Sequence, residues 1–104
     1  MTKIKKYVED IADELDDAKK YIEIALEYKA AGNTPENSTR YSVYKDMSVQ
    51  ELAHSSNLHQ FAVQDIEQLK TVYPDIPQSM MDSWEKAHKE YVEKSAWIKQ
   101  MQSM

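Results

Sequence analysis

Residues 3–31, KIKKYVEDIADELDDAKKYIEIALEYKAA, decide the fold class. Ile4, Val8, Ile11, Leu15, Ala18, Ile22 and Ala25 recur at alternating steps of four and three, the spacing of one helical face. The spacing predicts a helix over 3–31 that stops at Gly32, a candidate for a left-handed C-terminal cap. Just beyond it, Asn33-Thr34-Pro35-Glu36 offers Thr34 as the next N-cap, with Pro35 at the first helical position. The whole connecting stretch, AGNTPENSTR over 31–40, is polar.

Working outward, a second helix is expected over about 40–72. Tyr44, Met47, Leu58, Phe61 and Val72 fall on one stripe once positions 51, 54, 65 and 68 are included. YPDIP, 73–77, ends it, because Pro74 cannot continue a helix, while Asp75 can cap the next one with Pro77 in its first turn. The third helix is expected over 77–102, with Met81, Trp84, Tyr91 and Ile98 facing inward. The expectation is an all-α single domain over 1–104, made of three long antiparallel helices. At 1.5 Å per residue each would be about 40 to 50 Å long, which is slender for a lone three-helix monomer. Self-association to bury the remaining apolar faces follows as an expectation, as a homodimer or a higher homo-oligomer.

The bulk numbers agree with helices and exclude several functions. The 104 residues fit one domain, and 41% hydrophobic residues with a single Gly and three Pro suit long regular elements. A net charge of −5 leaves no basic surplus for nucleic acid or for anionic lipid. Without cysteine there are no disulfides, thiolate zinc sites, iron–sulfur clusters or cysteine nucleophiles, and a metal must be held by carboxylate, imidazole or water. No stretch approaches the roughly 18 uninterrupted apolar residues that would span a membrane. A soluble, cytoplasmic protein is expected. No glycine loop is present to cradle a phosphate, and the serines, aspartates and lysines form no nucleophile motif.

Two acids and a histidine interrupt the apolar pattern. In QELAHSSNLH, 50–59, Glu51 and His54 occupy stripe positions whose neighbours are Met47 and Leu58. An i, i+3 pair lies about 60° apart around a helix, so a carboxylate oxygen and an imidazole nitrogen can converge on one cation. In the first helix Tyr7, Ile11, Glu14, Ala18, Tyr21, Ala25 and Tyr28 form a second stripe in which Glu14 is the one charge. A core-facing carboxylate costs several kcal/mol unless it finds a partner, and a cation would be one. Simpler readings stay open. Ser48-x-x-Glu51 can be read as a capping box, His54 as a half-buried imidazole bonded to a nearby backbone or hydroxyl group, and Glu14 as an edge residue reaching into water. Tyr21, two turns after Glu14, could bond a carboxylate or a metal-bound water, or serve only as a wide packing residue.

ELDDAKKY, with Glu14 seven positions before Tyr21, followed by YSVYKDMSVQELAHSSNLH with its Glu-x-x-His, resembles the ferritin-like superfamily of carboxylate-bridged di-iron bundles. The resemblance covers the first two helices. It implies Glu14 as the first-helix ligand, Glu51 as the bridging carboxylate, His54 as the imidazole ligand and Tyr21 as the nearby tyrosine. It further implies iron, or manganese, as the cofactor and ferroxidase-like oxidation of Fe(II) as the activity. A full bundle of that family has four core helices, whose two halves together supply four Glu and two His. The chain resembles one such half, as in the encapsulated ferritins, so two copies would complete the site. Within one chain, Glu85/His88 repeats the Glu-x-x-His spacing and is the weaker ligand candidate: it would leave the set one carboxylate short. His88 shares a stripe with Trp84 and Tyr91, whereas Glu85 turns toward its edge. His59 has Ser56 rather than an acid three residues earlier and is expected to lie off the stripe. The competing reading is a metal-free ferritin-like bundle acting as a structural or interaction module, for example from a mobile element.

Overall fold

Helix α1 spans Thr2–Ala30, α2 spans Pro35–Val72 and α3 spans Gln78–Gln102. The computed structural model describes residues 2–73 and 75–104, with no strand among them. The 38 residues of α2 rise about 57 Å at 1.5 Å each. That length sets the 59 Å long axis of a body only 17 by 16 Å across. No helix among the described residues is long and apolar enough to cross a membrane.

The apolar stripe of α1 is the spine of the core. Ile4, Ile11, Leu15, Ala18, Ile22 and Ala25 are buried, and Val8 packs beside them. The helix ends as the sequence predicts: Ala31 donates its N–H to Glu27 O at 3.0 Å, and Gly32 takes a positive φ of 129°. Nothing stands within 4 Å of where a Cβ on Gly32 would sit, so the cost of a side chain there is backbone conformation alone. Gly32→Ala should therefore lower the unfolding free energy by about 1 to 2 kcal/mol, read as a shift of the urea midpoint. Thr34→Ala should lose about 1 kcal/mol for a different reason. Thr34 is extended, its Oγ1 accepts the Asn37 N–H at 3.1 Å, and Pro35 opens the helix.

That cap starts α2 five residues before the boundary expected from apolar periodicity, so the polar run 35–40 is helical. The other end holds at Val72, where the Tyr73 N–H bonds Leu69 O at 2.7 Å. The stop assigned to Pro74 lies outside the described residues. Asp75 does not take the capping role expected of it: Pro77 stands at the N-cap of α3, without a side-chain hydrogen bond. In α3, Trp84, Ser95, Ile98 and Met101 are buried, and Met81 and Tyr91 pack against the core.

The buried face of α2 is not the stripe that its apolar residues suggest. Ser48, Leu52, Ser55, Ala62 and Ile66 are buried, while Phe61 is 48% and Val72 66% exposed. The stepping of four and three places half-buried His59 on this same line. The reason is close approach between α1 and α2. Small residues line the seam: Ala18 lies against Ser48, and both are fully buried, as are Ala25, Ser55 and Ala62. The serines enter at low cost because each hydroxyl finds a carbonyl: Ser48 Oγ donates to Ala18 O at 2.6 Å, and Ser55 Oγ to Leu52 O at 2.7 Å. Tyr44, Met47 and Leu58 flank the seam, half-buried.

Particular pairs set the register. Tyr7 meets Phe61, Ala18 meets Ser48, and the Tyr28 ring stacks on Tyr44 at 5.9 Å. α3 lies mainly along α1 and meets α2 least. Lys94 pairs with Asp16 at 3.8 Å, Lys29 Nζ donates to the Met104 carbonyl, and Gln102 Nε2 donates to Ser48 Oγ at 2.9 Å.

Candidate metal centre

Glu14, Glu51 and His54 come together across the α1–α2 seam. One potential ligand atom from each lies within 4.8 Å of the other two, and this is the one such group of three or more among the described residues. The fold places them on the flank of the buried line. Glu14 precedes Leu15 and Glu51 precedes Leu52, so each carboxylate leaves the backbone beside a buried leucine. The i, i+3 spacing of Glu51 and His54 then lays the imidazole over the same turn.

The three groups form a loose cluster. His54 Nδ1 stands 3.6 Å from Glu14 Oε2 and 3.9 Å from Glu51 Oε2, beyond normal hydrogen-bond length. Glu14 Oε2 is buried and has no hydrogen-bond partner. The Glu14 and Glu51 side chains are 28% and 25% exposed and His54 is 58% exposed, so the cluster is partly covered at the acids and open to solvent at the imidazole. Donor atoms about 2.0 to 2.2 Å from a small divalent cation stand about 3 to 4 Å apart, which small side-chain rotations here would reach. Two hard oxygens and an imidazole suit iron, manganese or zinc better than a soft ion.

No family model, curated protein or solved structure matches this chain. The site stands on its own geometry. The remaining sequence candidates fall elsewhere. Tyr21 is placed by ring packing against Tyr44, at 6.2 Å, and not by a hydrogen bond to the three groups. Glu85 is exposed and His88 lies against His59, so neither joins the cluster.

Two features were not legible in the sequence. The first is Asp65, whose buried Oδ2 also lacks a partner in a recess lined by Lys3, Gln68 and Tyr73. The second is a histidine pair. His59 Nε2 and His88 Nδ1 are 2.7 Å apart, bridging α2 and α3. They are 29 positions apart in the chain, so no spacing within one helix announces them. Placing His59 off the core stripe is corrected by the serine-lined face of α2, which carries it.

Proposed function

We propose that the protein is a metal-binding helical bundle whose Glu14, Glu51 and His54 hold a divalent first-row cation, iron first and manganese second. The observation that carries this reading is the Glu14 carboxylate oxygen, buried without a hydrogen-bond partner beside a second carboxylate and an imidazole. A lone buried carboxylate oxygen is costly, and a cation is the partner that would satisfy both acids together. One chain offers two carboxylates and one imidazole, half of the four Glu and two His that a dinuclear carboxylate site takes. The proposal therefore includes an antiparallel, ferritin-like arrangement of the three helices and a second copy that completes the centre. Exposed Val43, Val49 and Phe61 on α2 supply apolar surface for that contact.

A bound iron would supply one-electron chemistry toward dioxygen or peroxide, and the matching activity is ferroxidase-like oxidation of Fe(II). The chain's own contribution is to fix two acids at a partly dry seam and to leave the imidazole side open to solvent. The test is metal content after purification without chelators, joined to Fe(II) titration followed by near-ultraviolet absorbance and by size in solution. Retained metal that disappears in Glu51→Ala, with a dimer that forms or tightens on Fe(II), is the expected result. Metal-free protein that behaves identically with and without Glu51 would sink the reading.

One observation favours a second reading. His54 is mostly exposed and close to both acids, so a protonated imidazole could serve as their counter-charge without metal. The bundle would then be a structural or interaction module.

A further inference from the structure

The His59–His88 pair lies apart from the carboxylate cluster and owes nothing to the metal reading. The ring centres are 4.9 Å apart and the planes 18° from parallel, while the two nitrogens are 2.7 Å apart. The centre-to-centre distance matches that gap plus the two ring radii, so the nitrogens face each other along the line of centres. Such an arrangement needs a proton between them: one ring donates N–H and the other accepts with its lone pair. A metal ion would not fit in the gap, since imidazole ligands stand about 2.0 Å from a metal on each side. No acid completes a group of three potential ligands with these histidines among the described residues.

The surroundings hold His59 still and keep it partly dry. Its ring stacks on Tyr91 at 4.0 Å and 15°, and on Trp84 at 5.8 Å. From α1 the recess beside it is lined by Val8, Ile11, Ala12 and Leu15, none of which ionises. From α3 the titratable or charged groups on the same recess are Glu90, Tyr91 and Lys94, besides His88 itself. Lys94 pairs with Asp16 of α1 and Glu90 is exposed to solvent, and neither a carboxylate nor an ammonium ordinarily changes charge near neutrality, where imidazoles do.

We propose that His59 and His88 form a proton-operated latch, in which one shared proton holds the first half of α3 against α2, and a second proton parts the rings and releases it. With neither ring charged, N–H donates to N. With one added proton, the bridge becomes a charge-assisted hydrogen bond and still holds, helped by the Tyr91 face under His59. With two, each facing nitrogen carries a hydrogen and two like charges oppose one another across a half-dry gap, which stacking on one tyrosine does not offset.

The direction of the His59 titration agrees. Burial first, and the charge of His88 second, lower its pKa below the ordinary 6.5. A released or unfolded His59 takes its proton at the ordinary value, so below 6.5 the released state binds more protons than the latched one. Latch stability is complete above 6.5, falls as the pH drops beneath it, and levels off once the pH is under the lowered value. α3 meets α2 least of all helix pairs, and on that side its first half is otherwise held by the stacks of Trp84 and Tyr91 on the same His59 ring, which move with it. Release would uncover Val8, Ile11 and Leu15 of α1, an apolar strip closed at neutral pH and open in acid.

The test uses the full chain carrying Trp97→Phe, so that Trp84 alone reports, with a chelator present so that the proton is the only ligand. Acidification from about pH 8 to about pH 5 should shift Trp84 emission to the red and lower the amide-exchange protection of residues 78–91, reversibly. His88→Gln keeps a hydrogen-bonding group without the charge, and His59→Phe keeps the stack without the nitrogen. Both should lose the red shift and the fall in protection in that range. A parent that shows no change, or variants that show the same change as the parent, would overturn the latch. If His59→Phe fails to form helix at neutral pH, His88→Gln alone decides, since the His88 side chain is on the exposed side of the pair.

Discussion

Ile22→Ala is expected to cost the bundle about 2 to 5 kcal/mol, the usual range for truncating a fully buried aliphatic side chain to alanine. Ile22 is among the largest fully buried side chains and sits in the middle of the α1 stripe, between Ala18 and Ala25. Those small neighbours belong to the close α1–α2 seam and cannot move in to fill the void. Against a total of about 5 to 15 kcal/mol for a domain of this kind, the loss is large enough to bring the midpoint of urea unfolding close to its lower limit. Phe61→Ala supplies the contrast. It removes a bigger side chain, yet one that is half exposed and leans on Tyr7 at a ring distance of 6.4 Å. It should cost about 1 kcal/mol or less. Equal losses at the two positions would mean that α2 buries its aromatic stripe after all, and that the serine seam is wrong.

The second large effect changes sign with metal. In chelator, Glu14→Gln should stabilise the protein by about 1 to 2 kcal/mol, because it removes a buried carboxylate oxygen that has no hydrogen-bond partner and substitutes an amide able to donate to Glu51. With Mn(II) or anaerobic Fe(II) at about a hundred times its dissociation constant, the parent should gain about 2.7 kcal/mol. For a chain of this length that is a rise of roughly 10 to 20 °C in thermal midpoint. The variant, having lost an anionic ligand, should gain far less, so the order of stability inverts. Thermal melts of both proteins, each with chelator and with metal, give four numbers that decide it. A variant that stays above or below its parent by the same margin in both conditions would show that Glu14 is a misplaced surface acid and not a ligand.

How far the sequence could be read differs from helix to helix, for physical reasons. α1 was fully legible, because its buried line is built from Ile, Leu and Ala and no competing stripe is as apolar. For α2 the length and type were legible but the face was not. Its tightest contact uses Ser48, Ser55 and Ala62, which carry little hydrophobic signal, whereas Tyr44, Met47, Leu58 and Phe61 advertise the neighbouring stripe. Apolar periodicity detects what wants to leave water, and it is blind to small polar residues buried because they let backbones approach. Glu14, Glu51 and His54 were still found together, since each is a charged or polar residue set against an apolar rhythm, and a one-position error in the face moved all of α2 alike. The start of α2 was read five residues late because a polar first turn lacks periodicity, although Thr34-Pro35 marked it. His59 and His88 meet through tertiary packing alone.

Ser48 gives the architecture a property that its size would not suggest. The one hydroxyl takes a hydrogen bond from Gln102 of α3 and gives one to the Ala18 carbonyl of α1, while its own backbone belongs to α2. Smooth helices can slide along one another by a turn, about 5.4 Å, and bury nearly the same oily area. Such a slip would strand this hydroxyl and two of its mates at once, so a single oxygen acts as an index pin that sets the axial phase of all three rods. The acids on α1 and α2 depend on that phase, because only one setting of the rods brings Glu14 level with Glu51.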